Sequence, residues 1–447
     1  MIKGSCLFLS LLLCSIGSAV SSQPQEAWVA RYHGPGYGDD RPRAMAIDSD
    51  GSVYVAGASF GAVYNYFEYT TLKYDADGNP LWLARYHDPV NAGDEAVALA
   101  LDGKGNVYVT GTVCTQFRII QGCIHWAFGT IKYDPQGRLL WVSRYHTAGD
   151  GDDFAVGIAV DAEGNAYVTG RSFPDSSHSN YTTVKYDTSG REIWVARYIG
   201  PRSYDRVTAI AVNGQGHVYV TGQSGVDGSV TDYTTIKYTS LGEEVWVARY
   251  HGPGADLDTP TALALDRSGN IYVTGSSVGV GGASGYATLK YDPEGKGIWV
   301  ARYEGRGSAT ALTCDAEGNV YVTGGSVAAA HQDYATIKYD SKGNEAWVAR
   351  YHGLGDGADW AWRIALDGQG NVYVTGSSSG LGPRADYATV KYDPEGNELW
   401  VARYGGPSDG YDTPTALAVD GKGQVYVSGW SHGAQGAYEF ATIKYSQ

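Results

Sequence analysis

Along the chain the apolar and polar positions return to the same four short segments, in the same order, between Trp28 and Tyr445. Segment A, Ala-Leu-Ala-Leu-Asp or a variant, ends at Asp48, Asp102, Asp161, Asn213, Asp266, Asp315, Asp367 and Asp420. Segment B, Val-Tyr-Val-Thr-Gly or a variant, ends at Gly57, Gly111, Gly170, Gly222, Gly275, Gly324, Gly376 and Gly429. Segment C, Thr-(Ile/Leu/Val)-Lys-Tyr, ends at Tyr74, Tyr133, Tyr186, Tyr238, Tyr291, Tyr339, Tyr392 and Tyr445. Segment D, Trp-Val-Ala-Arg-Tyr or a variant, begins at Trp28, Trp82, Trp141, Trp194, Trp246, Trp299, Trp347 and Trp400. A period of about 53 residues marks a repeat architecture. Each segment is short, rich in β-branched and aromatic residues and bounded by Gly or Asp, which predicts strands, and no part of the unit has helical period.

The A–B and C–D connections are D-x-x-G turns, as in Asp266-Arg267-Ser268-Gly269 and Asp292-Pro293-Glu294-Gly295, where glycine supplies the positive φ a tight turn needs. Each unit is therefore an up-and-down antiparallel sheet with A innermost. One four-stranded sheet cannot bury both faces alone, so the units must stack, and a ring protects their edges. The series opens on a lone strand D at Trp28–Tyr32 and stops after strand C at Tyr445. Pairing the first strand with the last unit closes the ring and completes its outer strand. The predicted fold is all-β: an eight-bladed β-propeller of four-stranded blades, occupying residues 23–447 as one domain.

The sequences GNVYVTG, ATIKYD-x-x-G and WVARY resemble the bacterial SBBP repeat family over residues 28–445. The resemblance implies a propeller, nominally of seven blades, exported from the cell; eight repeats depart from that number, and no catalytic residue carries over. A weaker similarity to quinoprotein-type propellers lies in Asp393-Pro394-Glu395-Gly396 before Trp400, and is read as shared blade mechanics.

Composition narrows the function. A formal charge of −15 opposes nucleic acid and anionic membranes, which select for positive charge. The start of the chain reads as an export signal over residues 1–22, with Lys3, the apolar run Leu7–Ile16 and the small residues Gly17-Ser18-Ala19. Leu11-Leu12-Leu13 before Cys14 argues against lipid anchoring at that cysteine, and no later stretch is long and apolar enough for a membrane span. The expected location is secreted, periplasmic or cell-surface, and the expected state a monomer. Cys114 and Cys123 share one inserted loop and could form a local disulfide; Cys314 stands at an apolar position and reads as a buried free thiol.

The B–C and D–A connections share one rim and vary in length, which makes that rim the expected recognition surface. Residues that break the repeat there are the candidate ligand-binding set: Trp360, Trp362 and Arg363 in the seventh unit, His125 and Trp126 in the large loop, and Trp430 and His432 in the eighth. The repeated Arg, Lys and Trp are read first as blade packing, against a charged partner-binding band. Asp40, Asp94, Asp153, Asp205, Asp258, Asp359 and Asp412 precede segment A, with Gly307 in the sixth unit. They read either as turn aspartates accepting backbone N–H groups or as a carboxylate ring near the funnel mouth suited to Ca²⁺. No other cofactor is expected. Asp48-Ser49-Asp50-Gly51 resembles part of a calcium loop, but Ser59 stands where its closing glutamate belongs. His33, His87, His146, His251 and His352 follow segment D, one per blade, and are expected to lie too far apart to meet on one ion.

No nucleophile-elbow, zinc-protease, paired-cysteine or phosphate-loop motif occurs. The expected function is a binding or scaffold module for an extracellular or periplasmic protein or polysaccharide. The alternative is an extracellular carbohydrate-active lyase or hydrolase with its site over the channel.

Overall fold

Turn chemistry sets the register of every blade. In the first A–B turn Asp48 Oδ1 accepts the N–H groups of Asp50 at 3.0 Å and Ser52 at 2.9 Å, while Gly51 takes φ 82°, a left-handed conformation open to glycine without strain. Tyr54, opposite on strand B, donates its hydroxyl to the other carboxylate oxygen at 3.0 Å. Equivalent tyrosines reach the turn residue in later repeats, for example Tyr167 to Asp161 and Tyr373 to Asp367. Asp48-Ser49-Asp50-Gly51 is thus the common turn of this family of hairpins.

The computed structural model describes residues 23–447 apart from 63–65, 89–92, 119–121, 150, 176–177, 202–203, 226–229, 255–256, 329–330, 381–383 and 409. The export-signal reading, with Lys3 and Cys14, lies outside the described residues. The strands form eight four-stranded antiparallel sheets, each in the order A–B–C–D. Blade 1 comprises Arg41–Ile47, Val53–Phe60, Phe67–Tyr74 and Pro80–Tyr86. In blade 8 strands A to C are Thr413–Val419, Val425–His432 and Tyr438–Ser446, and strand D is Gln25–Tyr32. Val29 lies opposite Ile443 and Tyr32 opposite Phe440, so the two ends of the chain close the ring as the repeat phase predicts. Successive A strands touch one another all the way round, from blade 1 to blade 8 and back, which places A innermost. No described helix is long and apolar enough to cross a membrane.

Apolar burial is shared between blades rather than held within one. Tyr54 and Tyr69 of blade 1 pack with Val107, Val109 and Ile131 of blade 2, sealed by Trp82 at the outer edge. The repeated polar residues fasten the same seams. Trp82 Nε1 donates to the Pro135 carbonyl in the next blade's C–D turn at 3.1 Å, and its ring lies where a side chain on Gly137 would have to go. Trp28, Trp141, Trp194, Trp246, Trp299 and Trp347 make the same bond. Trp400 has no such turn to meet, because strand D of blade 8 comes from the other end of the chain. Every WVARY arginine bonds the tyrosine hydroxyl of the preceding blade's WVARY, as Arg85 does to Tyr32 at 2.8 Å and Arg403 to Tyr351 at 3.0 Å. The TIKY lysines lie over the strand-B tyrosines, Lys73 over Tyr54 at 4.7 Å, and six of them reach a carbonyl in the next blade's C–D turn. Each bond contributes about 1 kcal/mol, so the sixteen repeated cations act as seam fasteners.

Candidate functional site

The D–A and B–C loops share one rim, opposite the tight turns. On blade 2 strands B (Val107–Arg118) and C (Gly122–Tyr133) extend into a long hairpin, whose Cys114 and Cys123 are joined by a disulfide with Cα atoms 5.9 Å apart. His125 and Trp126 stand on this hairpin. The Trp126 amide donates to Asp152 Oδ1 at 3.0 Å, and its ring begins an aromatic run across blade 3: Phe154 at 6.5 Å, then Phe173 at 6.1 Å from Phe154. The Arg171 guanidinium lies over Phe173 at 4.3 Å and over Tyr204 of blade 4 at 5.4 Å. Cys314, on strand A of blade 6, is a free thiol that burial pushes up to about 11.

The remaining repeat-breaking residues come together on blades 7 and 8. Strand A of blade 7, Trp360–Leu366, bulges between Ala361 and Arg363. Trp360 and Trp362 stack with centroids 5.6 Å apart and planes 28° apart. The bulge residue elsewhere is often threonine, and Thr261, Thr310 and Thr415 stitch to the next blade's backbone through Ala309, Ala361 and Pro42. In blade 7 the link runs instead through side chains: Trp362 Nε1 donates to Ser377 Oγ at 3.3 Å, which donates to Thr413 Oγ1 of blade 8 at 3.2 Å. Thr413 sits opposite Trp430, and Trp430 and His432 both meet the Tyr438 ring edge-on, at 4.5 and 5.4 Å. Five of the seven predicted residues are thus contiguous, while His125 and Trp126 sit apart on blade 2. Arg363 is exposed, bonds the Trp362 carbonyl at 2.9 Å, and meets no carboxylate within ion-pair distance among the described residues. The walls around it nevertheless exclude enough water to lower its pKa by desolvation.

The aspartates before strand A are 0–1% exposed. Each carboxylate accepts a backbone N–H from the loop that precedes it: Gly34 to Asp40, Asp88 to Asp94, Thr147 to Asp153, Gly200 to Asp205, Gly252 to Asp258, Gly353 to Asp359 and Gly406 to Asp412, at 2.6–2.9 Å. In Asp94, Asp258, Asp359 and Asp412 the second oxygen accepts an amide near the end of strand B. The Asp359 N–H itself donates to the Gln332 carbonyl of the preceding blade, a bond that recurs at Asp40, Asp94, Asp205, Asp258 and Asp412. The geometry is that of the turn-aspartate reading, a latch between consecutive blades. Burial pushes Asp94 up to about 6 and raises Asp40, Asp153 and Asp205 in the same direction.

The histidines after strand D do not meet one another, as expected, but comparing them only with each other missed their carboxylate neighbours. His251 lies with Asp232 and Asp258, and His352 with Asp333 and Asp359, ligand atoms within 4.8 Å in each group. His352 Nδ1 is 2.8 Å from Asp333 Oδ1 and 3.6 Å from Asp359 Oδ2, and its hydrogen bond to Asp333 raises its pKa. Asp232 and Asp333 carry no mark in the sequence beyond an acidic residue at an offset before TIKY that Glu68, Asp386 and Glu439 share.

Open clefts also lie between the A–B turns on the opposite rim, one of about 700 Å³ between blades 4 and 5, lined by Asn213, His217, Asp266 and Pro293. Comparable clefts recur between blades 8 and 1 and between 1 and 2, so they are a by-product of the repeat.

A closed ring of eight antiparallel blades, with five of the seven repeat-breaking candidate residues gathered on two of them, defines an eight-bladed β-propeller. The repeat it carries is the SBBP repeat, described as "Beta-propeller repeat", which matches residues 143–172, 245–280, 349–383 and 399–435. Each match runs from strand D through the following strand B. The chain is also 27% identical over 157 residues to Regulatory protein FlaEY of Caulobacter vibrioides, a match spanning 32% of this chain and 16% of that protein. Among solved structures, Sqt1 of Chaetomium thermophilum bound to the N-terminus of the ribosomal protein L10 superposes with TM-score 0.59 at 10% identity, over 95% of this chain and 100% of that one. Free Sqt1 gives 0.57 at 10% identity, over 94% and 98%. At that identity the likeness speaks to fold.

Proposed function

We propose that this propeller is an exported, non-enzymatic binding module that recognises an extracellular or periplasmic partner through the rim of blades 7 and 8. The observation that carries the reading is the contiguous path Trp360, Trp362, Ser377, Thr413, Trp430. It departs from the repeat, is held on rigid strands, and combines indole faces with hydroxyls. Stacked indoles beside hydroxyls suit the apolar face and hydroxyl edge of a sugar ring, which favours a polysaccharide over a protein. Export is supported by the apolar leader with its small-residue cleavage site. The Sqt1 propeller, which binds the N-terminus of a ribosomal protein, offers a protein-binding precedent for the same architecture.

The test is binding of the purified mature protein to immobilised glycans, cell-wall polymers and secreted proteins, repeated with Trp362→Ala and Trp430→Ala. Leu241→Ala, at an exposed C–D turn on the opposite rim, is the control. Affinity for a polysaccharide is expected to fall at least tenfold in the two tryptophan variants and to stay unchanged in the control. Binding that survives both substitutions, or breakdown of the bound polymer on incubation, removes this reading.

A further inference from the structure

The seam between blades 6 and 7 gathers three metal-ligating side chains, Asp333, His352 and Asp359, with ligand atoms within 4.8 Å of one another, and a fourth, His331, stands beside them. His331 and Asp333 begin strand C of blade 6, His331–Tyr339. His352 follows strand D of that blade, and Asp359 precedes strand A of blade 7. His352 Nδ1 stands 2.8 Å from Asp333 Oδ1 and 3.6 Å from Asp359 Oδ2. The His331 ring joins them, its centroid 5.7 Å from that of His352. Zinc bonds of about 2.0–2.1 Å in a tetrahedron place donor atoms about 3.3 Å apart and two imidazole centroids about 5 Å apart. The observed separations bracket the first value and lie close to the second.

We propose that this seam binds one divalent transition-metal ion of the zinc class through His331, Asp333, His352 and Asp359. Two neutral imidazoles and two carboxylates form a nitrogen–oxygen set suited to such an ion and short of the six to eight oxygens that calcium takes. The carboxylates are held in place before any ion arrives. Arg350 lies 3.5 Å from Asp333 Oδ2 and leaves Oδ1 turned toward His352. Gly353 and Ser379 amides fix the two oxygens of Asp359, and the Asp359 N–H is anchored on the Gln332 carbonyl at 2.6 Å. Such outer partners orient ligands. The ion would clamp the two blades beside Trp360.

Other seams carry incomplete versions. Between blades 4 and 5, Asp232, His251 and Asp258 are present, but Val230 stands at the His331 position. Between blades 2 and 3 the His125 and His146 rings lie 6.0 Å apart beside Asp153, but Ala127 replaces Asp333. Among the described residues only the seam of blades 6 and 7 carries a His or Asp at all four positions.

The experiment uses tag-free, chelator-stripped protein titrated with Co²⁺ and Zn²⁺, followed by the visible absorption of tetrahedral Co²⁺ and by calorimetry. One tight site per chain is expected, with Zn²⁺ displacing Co²⁺, excess Ca²⁺ leaving the spectrum unchanged, and Zn²⁺ raising the melting temperature. His331→Gln and His352→Gln, each on an accessible side chain, are expected to weaken that site at least tenfold while melting like the parent in chelator. His251→Gln leaves it intact. Absence of a tetrahedral spectrum in the parent, or parent-like affinity in both His331→Gln and His352→Gln, overturns the proposal.

Discussion

Asp94 links burial to a measurable pH dependence. Its carboxylate is fully buried and accepts the amides of Asp88 at 2.6 Å and Cys114 at 3.0 Å. Desolvation outweighs those bonds and pushes the group up to about 6, against about 3.9 for aspartate in water. A folded-state pKa above the unfolded one means that the folded protein holds the proton more tightly. The stabilisation is then full below about pH 4 and is lost as pH rises through 6, by about two units or roughly 3 kcal/mol. Asp94→Ala removes this dependence and leaves two buried amides without an acceptor, at about 1–3 kcal/mol each. At pH 7 that loss is largely offset by relief of the buried charge; at pH 3.5 it is not. For a ring of this size 3 kcal/mol corresponds to about 3 °C in melting temperature. Calorimetry of both proteins at the two pH values is expected to show a Tm gap about 3 °C wider at pH 3.5. The other titrating carboxylates are common to both proteins and cancel in the comparison. An equal gap at both pH values, or a wider one at pH 7, refutes the reasoning.

Gly396→Ala places a Cβ 2.7 Å from Trp347 at φ 88°, whereas Gly436→Ala, at φ 86°, meets nothing within 4 Å. The first is expected to cost about 2–4 kcal/mol and the second about 1 kcal/mol by thermal melting, with the near-ultraviolet signal of packed tryptophan altered only in the first. Replacing Cys114 and Cys123 by serine is expected to destabilise the blade 2 hairpin by about 2–3 kcal/mol locally. Limited proteolysis then cuts within that hairpin, while the melting of the ring stays within about a degree of the parent.

Repetition made the mechanical parts of the molecule legible. Trp, Arg and Lys recur at fixed offsets in all eight repeats, with Arg bonded across all eight seams, Trp across seven and Lys across six, and the lone strand D at Trp28 could be placed because blade 8 lacked one. What stayed hidden depends on distance across a seam. Asp333, His352 and Asp359 are spread over three segments, and comparing equivalent histidines between blades does not reveal that each has its own carboxylates. The aspartates before strand A could be weighed only as turn residues or as a ring, because burial, which makes them latches, is a property of the assembled blades. Arg363 breaks the repeat in the sequence, but its bond to the Trp362 carbonyl, with no carboxylate within ion-pair distance among the described residues, is legible only in the fold. The stacking of Trp360 on Trp362 follows from their spacing of two along a strand, but their link to Trp430 runs through Ser377 and Thr413, which no motif marks.

The account rests on a ring held shut by its first strand, since only a closed ring keeps blades 7 and 8 and their rim in fixed register. Hydrogen exchange followed by mass spectrometry on the intact protein tests this at Val29–Tyr32 and at its partner segment Phe440–Ile443. Paired amides there are expected to exchange as slowly as those of strands B and C in the middle blades. Exchange of these two segments within seconds, with the other blades still protected, contradicts it.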